Sequence, residues 1–95
     1  MNTKPNRVIG LDNFERDPSE EVKLNFIFEQ VFKTPAGAEA LRYLKQISLE
    51  SVAGGEVSNE SLRHLEGQRY MVALIQRRVN KGKSQRIVKE KQDVR

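Results

Sequence analysis

The side chains best placed to do chemistry lie at the C-terminal end. Arg77, Arg78, Lys81, Lys83, Arg86, Lys89, Lys91 and Arg95 are set against only Glu90 and Asp93, so residues 77–95 carry a net +6 while residues 1–76 carry −2. Cations at that density neutralise phosphates and give salt-dependent, sequence-indifferent binding, which makes DNA one candidate partner. An acidic protein surface would serve them equally well, and a merely solvated tail is the competing alternative.

Little else in the chain is reactive. Its 95 residues include no cysteine, which removes thiol nucleophiles, disulfides and thiolate metal sites. The one histidine, His64, has no second histidine or cysteine to join in a zinc site and is expected at a helix surface or boundary. It would also have to serve any general-base scheme alone, and Glu60 and Glu66 pair with no other carboxylate by spacing. No cofactor or metal is expected, and the chain reads as non-enzymatic. Gly54-Gly55 lacks both the helix-opening spacing and the lysine of a phosphate loop, so it reads as a hinge or linker. A helix-turn-helix reader is a poor match as well, because an eight-residue loop, Ser51–Ser58, precedes a helix of about twenty residues.

Helices must position these groups, and the clearest signals sit around one corner. Thr34 precedes Pro35, whose ring pushes it out of the helical region, so a first helix ends near Phe32 or Lys33. The Thr34 hydroxyl is then free to accept a backbone N–H from Ala36 or Gly37, with Pro35 at the first position of a second helix. The first helix starts at Asp17-Pro18, with Glu20 placed for a capping box. Its broad apolar stripe includes Val22, Phe26, Phe28, Val31 and Phe32, which read as core and contact surface. The second helix runs from Pro35 to about Leu49, with Tyr43 at its edge. Ser58 or Asn59 caps a third, from about Glu60 to Asn80, with Lys81-Gly82 as its stop. Leu62, Leu65, Val72, Ile75 and Val79 share one face of it. Gly67 inside that helix costs about 1 kcal/mol relative to alanine. The small surface around Gly37 supplies a packing reason, a close crossing of the second and third helices at Gly37 and Gly67.

The expected fold is therefore all-α: an N-terminal arm over residues 1–16, a three-helix domain over 17–80 and a basic tail over 81–95. The arm is expected as coil with a turn near Asp12-Asn13, its Ile9, Leu11 and Phe14 pinning onto the body or a neighbour. Ile87 and Val88 could dock the tail but would not fold it alone. No apolar run approaches the roughly 18–20 residues that span a bilayer, and no signal-peptide core opens the chain, which reads as soluble and not exported by a cleavable signal.

Two segments carry a family resemblance. Val31-Phe32-Lys33-Thr34-Pro35-Ala36-Gly37 followed by Leu41-Arg42-Tyr43-Leu44, and then Glu66-Gly67-Gln68-Arg69 followed by Val72 and Ile75, together resemble a family of small tailed-phage proteins. These are short helical proteins encoded among the head and packaging genes of Bordetella podophages and related phages. The resemblance spans roughly residues 28–79 and leaves the arm and basic tail outside. It implies a virion structural or assembly protein, present in the host cytoplasm during assembly and acting at the portal, capsid or tail. An adaptor is the expected role: Ile9, Leu11, Phe14, Phe26, Phe28 and Phe32 would dock on a larger phage structural protein as part of a symmetric oligomer, and the basic tail would meet DNA or an acidic partner. A small DNA-binding packaging or regulatory factor is the alternative.

Overall fold

The computed structural model describes residues 6–51 and 58–93. Two short strands, β1 (Val8–Ile9) and β2 (Glu15–Arg16), precede three helices, α1 (Pro18–Phe32), α2 (Pro35–Ile47) and α3 (Asn59–Asp93). The fold is mostly helical, with three helices as expected, but the arm is a hairpin and not coil. β1 and β2 pair antiparallel with Val8 opposite Arg16 and Ile9 opposite Glu15. Its turn falls at the anticipated Asp12-Asn13, where the Phe14 N–H donates to Asp12 Oδ1 at 3.1 Å and Asn13 takes the left-handed conformation at φ 72°. Asparagine tolerates that conformation better than most residues.

The α1–α2 corner forms as its chemistry dictates. Thr34 is extended, its Oγ1 accepts the Gly37 N–H at 3.0 Å, and its hydroxyl donates back to the Val31 carbonyl at 3.0 Å. A Cβ at Gly37 would strike the Val31 carbonyl oxygen and sit 2.9 Å from Phe32 Cα, so glycine lets α2 leave tightly against the end of α1. At the other end of α1, Pro18 occupies the expected first turn, but the capping box does not form. The Asp17 side chain makes no cap hydrogen bond and lies 3.6 Å from the Arg7 guanidinium. Ser58 caps α3 by accepting the Ser61 N–H at 3.1 Å.

Further expectations are corrected. α3 does not stop at Lys81-Gly82; it continues without a break to Asp93, so residues 83–91 are helical and not a free tail. Gly67 does not mark a helix crossing, since a Cβ there would meet nothing within 4 Å, and Gly37 packs against the end of α1 rather than against α3. A close crossing does exist, but at Gly82. That residue is buried, and a Cβ on it would strike the Asn25 carbonyl oxygen and lie 2.7 Å from Glu29 Cβ. Gly54-Gly55, read as a hinge, lies outside the described residues.

The helix pairings fix the topology. Glu21 meets Arg78, Asn25 meets Gly82 and Glu29 meets Arg86, each step four residues along both helices, so α1 and α3 run parallel in constant register. α2 runs opposite to α3: Lys45 Nζ donates to Gln76 Oε1, while Arg69 reaches back to the Ser48 and Ser51 carbonyls. The molecule measures 56 × 41 × 16 Å, and one helix with its side chains is about 10–12 Å across. It is thus flat, and a flat molecule has little true inside. Among the described residues the only buried hydrophobics are Leu41 and Val72.

The two glycines should separate on substitution. Gly82→Ala must push α1 from α3 against backbone, an overpacking that costs about 1–3 kcal/mol. Gly67→Ala meets open space and should gain up to about 1 kcal/mol of helix propensity. Urea denaturation of both variants checks this, and equal effects would rule out the crossing at Gly82.

Candidate functional site

What holds α1 to α3 is polar. Arg78, only 3% exposed, donates from one guanidinium nitrogen to Glu21 Oε2 at 2.8 Å and to Asn25 Oδ1 at 2.7 Å, with Asp12 Oδ2 3.5 Å away. Arg16 completes the cluster, donating to Asp12 Oδ1 at 3.0 Å and Oδ2 at 2.8 Å and to Glu21 Oε1 at 2.6 Å. The Leu11 backbone N–H also donates to Glu21 Oε2, at 3.0 Å, which ties the hairpin to α1. One turn further along, Asn25 donates to Gln85 Oε1 at 2.9 Å. A further turn on, Arg86 donates to the fully buried Glu29 at 3.1 Å. Among the described residues every buried side-chain nitrogen and oxygen has a partner, as a polar interface must if it is to hold at all.

The charges answer to these contacts. The hydrogen bonds from Arg16 hold the Asp12 carboxyl well below its ordinary value against a smaller opposing effect of burial, helped by the Phe14 N–H and the Arg78 charge. Burial pushes the Glu21 carboxyl up, but the hydrogen bonds from Arg78, the Leu11 N–H and Arg16 together outweigh it and leave it lowered. Glu29 raises the Arg86 guanidinium above its usual range, with Glu90 adding to the effect.

Because Glu21, Asn25 and Glu29 of α1 face α3, part of the α1 apolar stripe faces out. Val22, Phe26 and Val31, expected in the core as much as at a contact surface, are exposed, as is Ile27 beside them, whereas the apolar face of α3 at Leu65, Val72, Ile75 and Val79 is buried or half-buried. Of the six residues expected to dock a partner, Ile9 (62%), Phe14 (68%) and Phe26 (49%) lie open. Leu11 is half-buried beside Glu21, and Phe28 and Phe32 are half-buried with their rings stacked at 6.2 Å. Tyr43 and His64 are exposed, as their positions suggested.

The basic set divides in two. Arg77, Lys81, Lys83, Lys89 and Lys91 are exposed on one continuous helix, whereas Arg78 and Arg86 are held by α1 and are not available to a polyanion. Arg95 lies outside the described residues. Between α1 and the last turns of α3 runs an open groove of about 880 Å³, whose lining combines the apolar Val22, Phe26 and Val88 with Lys23, Lys81 and Lys89. It is the strongest candidate for a binding site. Among the described residues no cluster of His, Asp or Glu is arranged to hold a metal ion, and no helix is long and apolar enough to cross a membrane.

Asn25, Glu29, Gly82, Gln85, Asp12 and Arg16 were not anticipated. The signal was present as a second stripe: Glu21, Asn25 and Glu29 recur every four residues on a helix otherwise rich in apolar side chains, and Arg78, Gly82 and Arg86 repeat that spacing.

Two outcomes follow. Arg78→Ala removes one of the two guanidiniums that Asp12 and Glu21 share, leaving Arg16 alone to pair them and the buried Asn25 Oδ1 without its donor, and should cost about 1–3 kcal/mol in urea denaturation, a sizeable part of a small domain's stability. Asp12 and Glu21 have lowered native values, so their contribution is fully present above their unfolded values of about 3.9 and 4.3 and fades as pH falls below them. Urea midpoints should therefore hold from pH 7 to 5 and drop steeply below about pH 4, with Asp12→Asn flattening that acid limb.

The sequence pattern of a phage family matches residues 28–89, which take in the end of α1, the corner, α2 and α3 as far as Lys89. The match reaches ten residues beyond the resemblance at Val79 and covers Arg78, Gly82 and Arg86. No curated protein and no solved structure matches the chain. With 62 of its 95 residues in the matched stretch, the chain belongs to the Bbp19-like phage protein family.

Proposed function

We propose that this phage protein is a non-enzymatic assembly component, an adaptor that docks on a larger structural protein of the particle at the portal or head-to-tail region. The observation that carries this is the inverted burial. Fourteen large hydrophobic residues are exposed among the described residues, against Leu41 and Val72 buried. Scattered exposed hydrophobics are ordinary, but fourteen exposed against two buried marks an interaction surface. Covering each half-exposed Val, Ile or Phe adds about 1 kcal/mol, so association supplies what so small a core cannot. Ring-shaped particle components present the same surface many times, and a flat adaptor repeated around such a ring matches that symmetry.

A small DNA-binding packaging or regulatory factor is the second reading, favoured by the five exposed cations of α3. Truncation after Asn80 is a poor test of it, because that cut removes Gly82, Gln85 and Arg86 and so loosens α1 as well. Reversing Lys83 and Lys91, which make no ion pair among the described residues, leaves the seam intact. If DNA is the partner, the double reversal weakens binding of a short duplex and flattens its salt dependence by about two ions.

The adaptor role is checked by mass spectrometry of purified, nuclease-treated particles, with this chain counted against the portal protein. A fixed ratio is the expected result, and absence from the particle would overturn the role. The free chain should also be marginally stable and gain about 2.7 kcal/mol on adding its partner at a hundred times the dissociation constant.

A further inference from the structure

We propose that the groove between α1 and the end of α3 receives a short amphipathic helix, acidic on its flanks, supplied by a different protein. This rests on the adaptor role and names the chemistry of the segment it would engage. Val22 and Phe26 lie one turn apart on α1 and line the groove together with Val88 of α3, with Phe26 49% and Val88 54% exposed. Residues 19–26 and 81–89 flank it, and at 1.5 Å per residue these run about 10–12 Å, the length of two helical turns. An occupant of that length offers apolar anchors at i, i+3 or i+4, and i+7, the spacing by which a helix fills an apolar groove.

Charge decides between occupants. Lys23, Lys81 and Lys89 also line the groove, and none of them is in an ion pair among the described residues. Arg86 also borders it but is spent on Glu29 and Glu90. A second copy docking the same face about a two-fold axis would bring lysines against lysines around the contact, which is repulsive. DNA would satisfy the lysines and leave Val22, Phe26 and Val88 against water, since phosphates offer nothing apolar. A helix with leucine- or phenylalanine-type anchors and flanking Asp or Glu satisfies both the apolar residues and the lysines.

The test uses the full chain and a labelled synthetic peptide of about 16 residues, long enough to turn helical on binding, with leucines at i, i+4 and i+7 and glutamates beside them. Two companion peptides replace every glutamate by lysine or every leucine by serine. Fluorescence anisotropy should show the acidic amphipathic peptide binding at least about tenfold more tightly than either companion, and more weakly as salt rises. Val88→Glu should abolish binding, and the triple variant Lys23→Glu, Lys81→Glu, Lys89→Glu should switch preference to the lysine peptide. All four positions are exposed, and unchanged circular dichroism verifies that the variants fold. Equal binding of the lysine peptide, no effect of the charge reversals, displacement of the peptide by a short DNA duplex, or self-association through this face would each overturn the proposal. Absence of peptide binding by a chain that is present in particles refutes the groove alone. Peptide binding by a chain absent from particles refutes the adaptor role and leaves the groove standing.

Discussion

Arg78 is the constraint on which the rest depends. A guanidinium 3% exposed is costly to bury without anions around it, and its anions come from two separate places, Asp12 of the hairpin and Glu21 of α1. One buried cation thereby fixes how the hairpin, α1 and α3 sit together. It also fixes the rotation of α1 about its own axis. With Glu21, Asn25 and Glu29 turned toward α3, the valines, isoleucine and Phe26 have only the outside left to occupy.

Such an interface contributes geometry more than free energy. The desolvation of Arg78, Glu21 and Glu29 offsets much of their attraction, so well-packed leucines in the same seam would hold as firmly. What leucines would not supply is a single register, because apolar surfaces slide with little penalty and forked hydrogen bonds do not. Gly82 reinforces the register, since only at that turn can the α1 backbone come so close. For the adaptor role proposed above, a fixed rotation of α1 matters as much as stability.

The parts of the fold legible in the sequence are those decided within a few residues. Thr34-Pro35-Gly37 specifies a corner through one cap, one fixed φ and one missing Cβ, and Asp17-Pro18 and Ser58 mark helix starts in the same local way. Glycine after lysine at Gly82 reads as a local stop signal, whereas contacts on both sides of it, Arg78 and Arg86 with α1, carry the helix through. The apolar stripe of α1 was recognised but assigned partly to a core, by the ordinary rule that apolar faces turn inward. A flat molecule defeats that rule, and only pairing of the two four-residue polar stripes reveals it. Of the basic residues, composition could not tell Arg78 and Arg86, which brace α1, from the lysines that remain free.

The parallel register of α1 and α3 has a consequence for the order of events during synthesis. Glu21 and Arg78 are separated by 57 positions, as are Glu29 and Arg86, and nothing between them substitutes for either partner. The hairpin and first helix leave the ribosome early but cannot take their final packing against α3 until residues 78–86 have followed them. Until then a nascent chain exposes its apolar stripe and holds Glu29 without the Arg86 cation. Final packing is therefore a late event, and the rotation of α1 is set only once α3 has formed.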